Sequence, residues 1–327
     1  MFEKLVLVTR KTRYDGLLER FNTPGQAKFY LAQAGLDFDD YQREHDTYAR
    51  SFERTRAAVE ATGLRLQVLE RAVVPTYLFS PADLVVALGQ DGLVANVAKY
   101  VGAQPLVGVN PDPERFDGVL LPFRVDEVRR AVDAALSGRA KVREVTLAEA
   151  TLSDGQRLLA FNDLFIGART HVSAHYRLRV THPRPPASSK KLSEKRRHDE
   201  GEAWLRHSSS GVIVSTGAGS TGWLSSVCAM ASAVAGALGG KAPQPVRLPW
   251  EDPRLFYVVR EPFASRHSSA AGTVGFLEPR ARLELESLMP SGGVIFSDGM
   301  EDDALAFTSG LVARIGPAAQ RARLVVQ

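Results

Sequence analysis

Leu84-Val-Val-Ala-Leu-Gly-Gln-Asp-Gly-Leu-Val-Ala-Asn-Val-Ala98 decides how the first half of this chain folds. Its first five residues form an unbroken apolar run of the length of a buried strand. Gly89-Gln-Asp-Gly92 interrupts the run, after which Leu93, Val94, Val97, Ala98 and Val101 recur at helical spacing. A buried strand that turns through glycines into a helix is the opening half of a βαβ unit. Glycines at such a turn let backbone N–H groups approach a phosphate, and the helix N-terminus adds a favourable dipole. Asp91 reads in two ways. As a carboxylate it positions a hydroxyl, accepts its proton during phosphoryl transfer or holds magnesium; alternatively it caps the helix.

Outward from this stretch the same alternation continues. Leu5 to Thr9 is another buried-strand run, Leu64, Leu66 and Val68 alternate with polar residues, and Pro105-Leu-Val-Gly-Val-Asn110 is a further short strand. Val125, Val128, Val132 and Ala135 stripe a helix that ends near Gly138. The expectation is an α/β domain with a parallel sheet over residues 1–141. Beyond it helical periodicity thins, and Phe165–Val180 and Ala281–Glu286 read as β-structure, which predicts a β-rich second domain. Pro183–Glu202 is dense in proline and charge and reads as an exposed, solvated loop.

Composition narrows the class. Of 327 residues, 44% are apolar and 24% charged, as in ordinary globular proteins. Forty-one basic against 37 acidic residues leave a formal charge of +4, too small to argue for a nucleic-acid partner. Cys228 is the single cysteine, which rules out an internal disulfide framework. No apolar run approaches the roughly 20 residues that span a bilayer, and Leu5–Thr9 leaves no room ahead of it for a leader. A cytoplasmic protein without a membrane partner is expected.

A second glycine turn, Ser215-Thr-Gly-Ala-Gly-Ser-Thr-Gly222, follows the strand-like Gly211-Val-Ile-Val214. Gly217, Gly219 and Gly222 spell G-x-G-x-x-G, which invites an NAD-dependent oxidoreductase as a rival reading. That fingerprint wants an acidic residue about 20 positions on to hold the ribose. From Trp223 to Trp250 there is no Asp or Glu. Other candidate chemistry is weaker. His171 and His175 lie in a segment that reads as a strand, where a spacing of four places them about 13 Å apart. Cys228 sits among small apolar residues and reads as a buried core thiol. Asp298-Gly299 reads as a turn between strands, and Glu301-Asp302-Asp303 as a solvated turn.

Both turns and their surroundings, taken in order, resemble the NAD kinases, above all the mitochondrial type. The carriers of the resemblance are Thr12-Arg-Tyr14 with Gly16-Leu-Leu-Glu-Arg20, Gly89-Gln-Asp-Gly92, Gly108-Val-Asn-Pro-Asp-Pro-Glu-Arg115, Asn162-Asp163, Ser209–Trp223, Arg260-Glu-Pro-Phe263 and Phe296-Ser-Asp-Gly299. The first turn is similar to the G-G-D-G signature shared with diacylglycerol kinases, sphingosine kinases and phosphofructokinases. Gln90 replaces its second glycine and Leu93 the threonine that usually follows.

The resemblance implies an α/β domain over 1–141, a β-rich NAD-binding domain over 142–300, and a segment 301–327 that returns to the first domain. It implies an active site between the domains of a homodimer or homotetramer, with NAD and ATP as substrates and magnesium carried by ATP. Asp91 would be the base or positioner for the ribose 2′-hydroxyl, with Gly89 and Gly92 leaving room for phosphates. Asn110, Asn162 and Asp163 would contact the nucleotide. So would Thr216, Gly219, Ser220, Thr221 and Ser226, with Trp223 as the aromatic neighbour. A kinase for a lipid or sugar hydroxyl is the alternative within the same superfamily, and a nucleotide-binding protein of impaired catalysis is a further one.

Overall fold

The computed structural model describes residues 2–182 and 203–327, so the expected loop at 183–202 lies outside the described residues. The chain divides into two compact units, Met1–Glu144 with Ala322–Gln327, and Val145–Arg321. The divisions expected from sequence fell at 141 and 300.

The first unit runs β1 (Lys4–Thr9), α1 (Arg13–Phe21), α2 (Pro24–Gln33), α3 (Phe38–Glu60), β2 (Arg65–Glu70), β3 (Asp83–Leu88), α4 (Asp91–Ala98), β4 (Pro105–Asn110), β5 (Phe123–Arg124) and α5 (Val128–Leu136). β1 pairs in parallel with β2 and β3, and β3 with β4. All six residues of β3 are buried, as expected for a parallel strand covered on both faces. Leu5, Leu7, Leu84, Val86, Leu88, Val107 and Val109 share one face by strand alternation. On it pack Tyr48 and Val59 of α3 and the Val128–Val132–Ala135 stripe of α5. Local signals set the helix starts: Thr12 and Asp15 form a capping box at α1, and the Asp37 carboxylate accepts from the Asp39 N–H at α3.

The second unit contains β6 (Lys141–Leu152), β7 (Arg157–Ala160), β8 (Asp163–Ala168), β9 (Ala174–Thr181), β10 (Leu205–Ser209), β11 (Val212–Ser215), α6 (Trp223–Ala237), β12 (Leu255–Val259), β13 (Val274–Leu277), β14 (Arg282–Ser287), β15 (Gly293–Ser297), β16 (Met300–Ala306) and β17 (Val312–Val326). One sheet orders β13-β12-β11-β8-β15-β16. Facing it are β10, β9, β14 and the first part of β17. Leu164, Ile166, Val212, Val214 and Ile295 from one layer meet Tyr176, Leu178, Leu283, Leu285 and Ile315 from the other.

Several expectations are corrected. Residues 301–321 stay in the second unit because β16 pairs with β15 and β17 begins against β14; only the chain end joins the first unit, where Arg323 and Leu324 pair in parallel with Pro105 and Leu106. Glu301-Asp302-Asp303 lies in β16 and not in a turn. His171 falls in the bend between β8 and β9 and not in a strand, while His175 is exposed on β9. Cys228 is half-buried on α6, whose larger apolar side chains point outward, so it is not a core thiol.

His207 on β10 is fully buried with neither ring nitrogen partnered, stacked on Tyr176 at 5.6 Å; the Tyr176 hydroxyl is already bonded to Ser209 Oγ. Burial pushes the imidazole pKa down. The unfolded chain therefore binds a proton that the folded chain refuses, and stability is lost as pH falls through the unfolded value near 6.5. Urea denaturation of His207→Phe is expected to match the wild type above pH 7 and to be the more stable of the two below pH 6.

Candidate active site

In the first unit the strand order β2-β1-β3-β4 reverses between β1 and β3. Ligands of open parallel sheets bind beyond the carboxyl ends of the strands at such a reversal. Gly89-Gln-Asp-Gly92 emerges there from β3. The helix that follows, α4, has Gln90 at its N-cap with no side-chain cap, so its first N–H groups are not closed off by a side chain. Asp91 is half-buried; its Oδ1 accepts from the Leu120 N–H at 2.6 Å, and Oδ2 has no partner among the described residues. Asp91 thus fastens the 111–122 loop to the turn while keeping one oxygen exposed.

The two glycines of the turn differ in what surrounds them. A Cβ at Gly89 would lie 2.8 Å from Leu93 Cδ2, so a larger residue there would require the end of the Leu93 side chain to move. A Cβ at Gly92 would meet nothing within 4 Å. Leu93 is buried against Gly89 and fills the interior side of the turn. Asn110 is buried, and its amide donates to Phe116 O and accepts from the Asp112 N–H, so it helps build the loop after β4.

Arg10 is a functional candidate that sequence reasoning missed. It ends β1 directly beside Gly89. Its guanidinium stacks over Tyr48 at 5.1 Å and Phe116 at 5.7 Å and pairs with Glu44 at 3.0 Å, while Nε has no partner. Glu44 is buried and also holds Arg13. Burial works against its charge, but the Arg13 and Arg10 guanidinia outweigh that and hold its pKa below the ordinary value. Arg115 and then Arg13 likewise hold the Asp40 carboxyl far below the usual range. One charge network therefore ties the end of β1, helix α3 and the Asp112–Arg115 loop together. Its partners lie tens of residues apart, so no local spacing announces it.

In the second unit the other turn is built around β8 and β11. β11 runs antiparallel to both β8 and β12, so its G-x-G-x-x-G is not part of a parallel βαβ unit and the dinucleotide fingerprint does not apply. The glycines serve close approach: a Cβ at Gly219 would lie 2.0 Å from Asn162 O, and one at Gly217 1.9 Å from Pro249 O. Thr216 Oγ1 donates to Phe161 O at 2.6 Å and accepts from the Gly219 N–H. Ser220 Oγ donates to Gly217 O. Thr216, Gly219 and Ser220 are thus buried framework, whereas Thr221 and Ser226 are exposed. Trp223 stacks at 5.6 Å on Phe165, which stacks at 4.8 Å on Phe296, and Arg260 lies over the Trp223 ring.

Asp298, with φ 54°, is more than a turn residue. Its carboxylate accepts from the N–H groups of Phe161, Asn162 and Asp163, at 3.0, 2.6 and 3.3 Å. That grip fixes the Asn162-Asp163 pair. The Asn162 amide and the Asp163 carboxylate make no hydrogen bond to the described residues. Burial, with Asp298 nearby, pushes the Asp163 pKa up to about 7. Among the described residues no group of three or more His, Cys, Asp or Glu side chains is placed to hold a metal, and no helix is long and apolar enough to cross a membrane.

No family model matches the chain. The mitochondrial NAD kinase 2 of Xenopus tropicalis is 24% identical over 90% of this chain and 85% of its own. An NAD kinase of Chlorobaculum tepidum is 35% identical over 25% of this chain and 28% of its own. Among solved structures, an NAD kinase from Archaeoglobus fulgidus in complex with ATP covers 98% of this chain and 93% of its own, with TM-score 0.52 and 15% identity. Yeast NADH kinase complexed with NADH covers 100% and 84%, with TM-score 0.53 and 16% identity.

Two outcomes follow from this geometry. Gly219→Ala is expected to destabilise by about 3 kcal/mol or more in chemical denaturation, since backbone must move, whereas Gly92→Ala leaves stability unchanged or raises it by up to about 1 kcal/mol. Asp163 favours its protonated form in the fold, so its contribution is full below the unfolded value of 3.8 and is lost as pH rises through about 7. Asp163→Asn should therefore raise the thermal midpoint at pH 8 by several degrees, with the gain vanishing near pH 4.

Proposed function

We propose that the chain is an NAD kinase, as its likeness to NAD kinase 2 over 90% of its length supports, and that it transfers the γ-phosphate of ATP to the 2′-hydroxyl of the adenosine ribose of NAD. The observation that carries this reading is the Gly89–Gly92 turn at the strand-order reversal, where an uncapped helix start, an open glycine and an unengaged Asp91 oxygen lie together. Uncapped N–H groups at a helix start accept phosphate oxygens. A carboxylate beside them is the group phosphoryl transfer uses to orient the attacking hydroxyl.

In the proposed step the 2′-oxygen bonds to the γ-phosphorus, its proton passes to Asp91 Oδ2, and the bridging oxygen leaves with ADP. Magnesium enters with ATP as part of the substrate and neutralises charge on the phosphates. The exposed Thr221 and Ser226, the unengaged Asn162 amide and the face of Trp223 are the groups available to NAD in the second unit. Leu93 points into the core, so this departure from G-G-D-G does not fill the phosphate side of the turn, and Gln90 does not cap the helix start.

The test is NADP formation from NAD, ATP and magnesium, read with an NADP-specific dehydrogenase. Asp91→Asn keeps an oxygen to accept from the Leu120 N–H, so it is expected to fold as the wild type and lose about 10²- to 10⁴-fold in kcat. A folded wild type that makes no NADP with ATP or polyphosphate would overturn the reading.

A further inference from the structure

The buried stripe of α3 is polar where that of an amphipathic helix is ordinarily apolar. Glu44, Tyr48, Ser51, Thr55 and Val59 recur along one face of the helix, and only Val59 is without a polar side-chain atom. Three of them bond the exits of three different strands. The Glu44 carboxylate accepts from the guanidinium of Arg10, the residue after β1, at 3.0 Å. Ser51 Oγ donates to the carbonyl of Pro111, the residue after β4, at 2.8 Å. Between them the Tyr48 hydroxyl accepts from the Arg10 N–H at 3.0 Å. It donates, also at 3.0 Å, to the carbonyl of Leu88, the last residue of β3.

We propose that Tyr48 is a positioning residue for phosphoryl transfer: its hydroxyl is inserted into the β1–β3 ladder and holds the Gly89–Gly92 turn away from the end of β1. The paired register of these two strands stops at Val8 and Ala87. Gly89 donates its N–H to Val109 on β4, so by alternation the Leu88 carbonyl points toward β1. One further step of the parallel ladder would bring the Arg10 N–H directly onto that carbonyl. The Tyr48 hydroxyl stands in this place instead and bonds both groups. They are thereby kept further apart than the about 2.9 Å of a direct bond. The two backbone groups would satisfy each other without it, so hydrogen-bond satisfaction alone does not call for a hydroxyl here. Tyr48 is 9% exposed, and burial pushes its hydroxyl pKa up to about 12, so the donor to Leu88 stays protonated through the neutral range. The Tyr48 ring also lies against the Arg10 guanidinium at 5.1 Å. One side chain thus sets the backbone and the charge on one side of the crevice, and the start of the Asp91 turn on the other.

The rate effect rests on the proposed transfer, and two measurements keep the failures apart. Tyr48→Phe keeps the ring and removes only the inserted hydroxyl. A displacement of about 1 Å at a reacting group costs about 100-fold, so this variant is expected to lower kcat for NADP formation about 10- to 100-fold. The hydroxyl touches no substrate, so KM for NAD should stay within about threefold. In the ligand-free protein, hydrogen exchange read by mass spectrometry should accelerate across residues 88–93. Val59→Ala, on the same stripe but away from the strand exits, opens a cavity; it should lower the thermal midpoint at least as much and leave kcat unchanged. A Tyr48→Phe kcat within about threefold of the wild type overturns the proposal, whatever the exchange. So does an equal fall in kcat for Val59→Ala, which would mark general loosening of α3. A folded wild type that makes no NADP overturns the transfer reading. Unchanged exchange in Tyr48→Phe would then overturn the insertion as well, and acceleration confined to the turn would uphold it.

Discussion

A strand covered on both faces can place polar groups only at its ends. β3 obeys that constraint at all six positions, and β1 and β4 nearly so. The chemistry of the first unit is therefore confined to where these strands stop. Arg10, the Gly89–Gly92 turn and the Asn110–Arg115 loop are successive exits from one carboxyl edge. Because the strand order reverses between β1 and β3, the chains leaving those two strands diverge and leave a crevice between them. Arg10 is held beside it by Glu44 and two aromatic rings, and the loop after β4 is pinned to the turn by Asp91. The edge is organised before any ligand arrives, which is what catalysis by positioning requires.

The second unit reaches a similar end by another route. Its strands are antiparallel, so no helix dipole is aimed by a βαβ crossover. Backbone is instead brought against backbone at distances only glycine permits. Gly219 lies on Asn162, Gly217 on Pro249, and Asp298 gathers three consecutive N–H groups at the head of β8. A buried carboxylate is costly unless its oxygens are satisfied. Asp298 meets that condition through the backbone. Asp163, beside it, does not, and is driven toward its protonated form. The Asn162-Asp163 pair is thereby displayed with its side chains unengaged on a rigid base.

Much of the fold was legible because its signals are local. The β3–turn–α4 stretch and the stripe of α5 depend on residues within a few positions of each other. The glycine turns were legible as turns, but the part each residue plays was not. Asn110, Thr216 and Ser220 look like ligands in a motif, and the structure shows that each also bonds neighbouring backbone and so shapes its loop. Arg10 with Glu44 is a pairing 34 residues apart, and Asp298 with Phe161 one of 137. No spacing rule connects such partners. β16 and the first part of β17 were misread for a related reason: whether residues 301–321 join one unit or the other is decided by strand pairing, which composition does not encode. In α6 the run of small apolar residues carries no sign that its larger side chains would face outward.

What the motif could not distinguish, packing does. Gly89 and Gly92 look equivalent in G-Q-D-G, but only at Gly89 would an added Cβ press on a neighbour, the end of the Leu93 side chain. Leu93, where a threonine is usual, completes that packing: its side chain occupies the space that a Cβ on residue 89 would need. The inner half of the turn is thus settled by the core. At Gly92 nothing in the protein demands glycine, and glycine in a helix costs stability relative to alanine. Gly16, Gly25 and Gly236 are equally open, so openness alone assigns Gly92 no role; what sets it apart is its place at the start of α4 beside Asp91. The open side of Gly92, next to the unengaged Oδ2 of Asp91, is where a phosphate would have to lie for the proposed transfer to proceed.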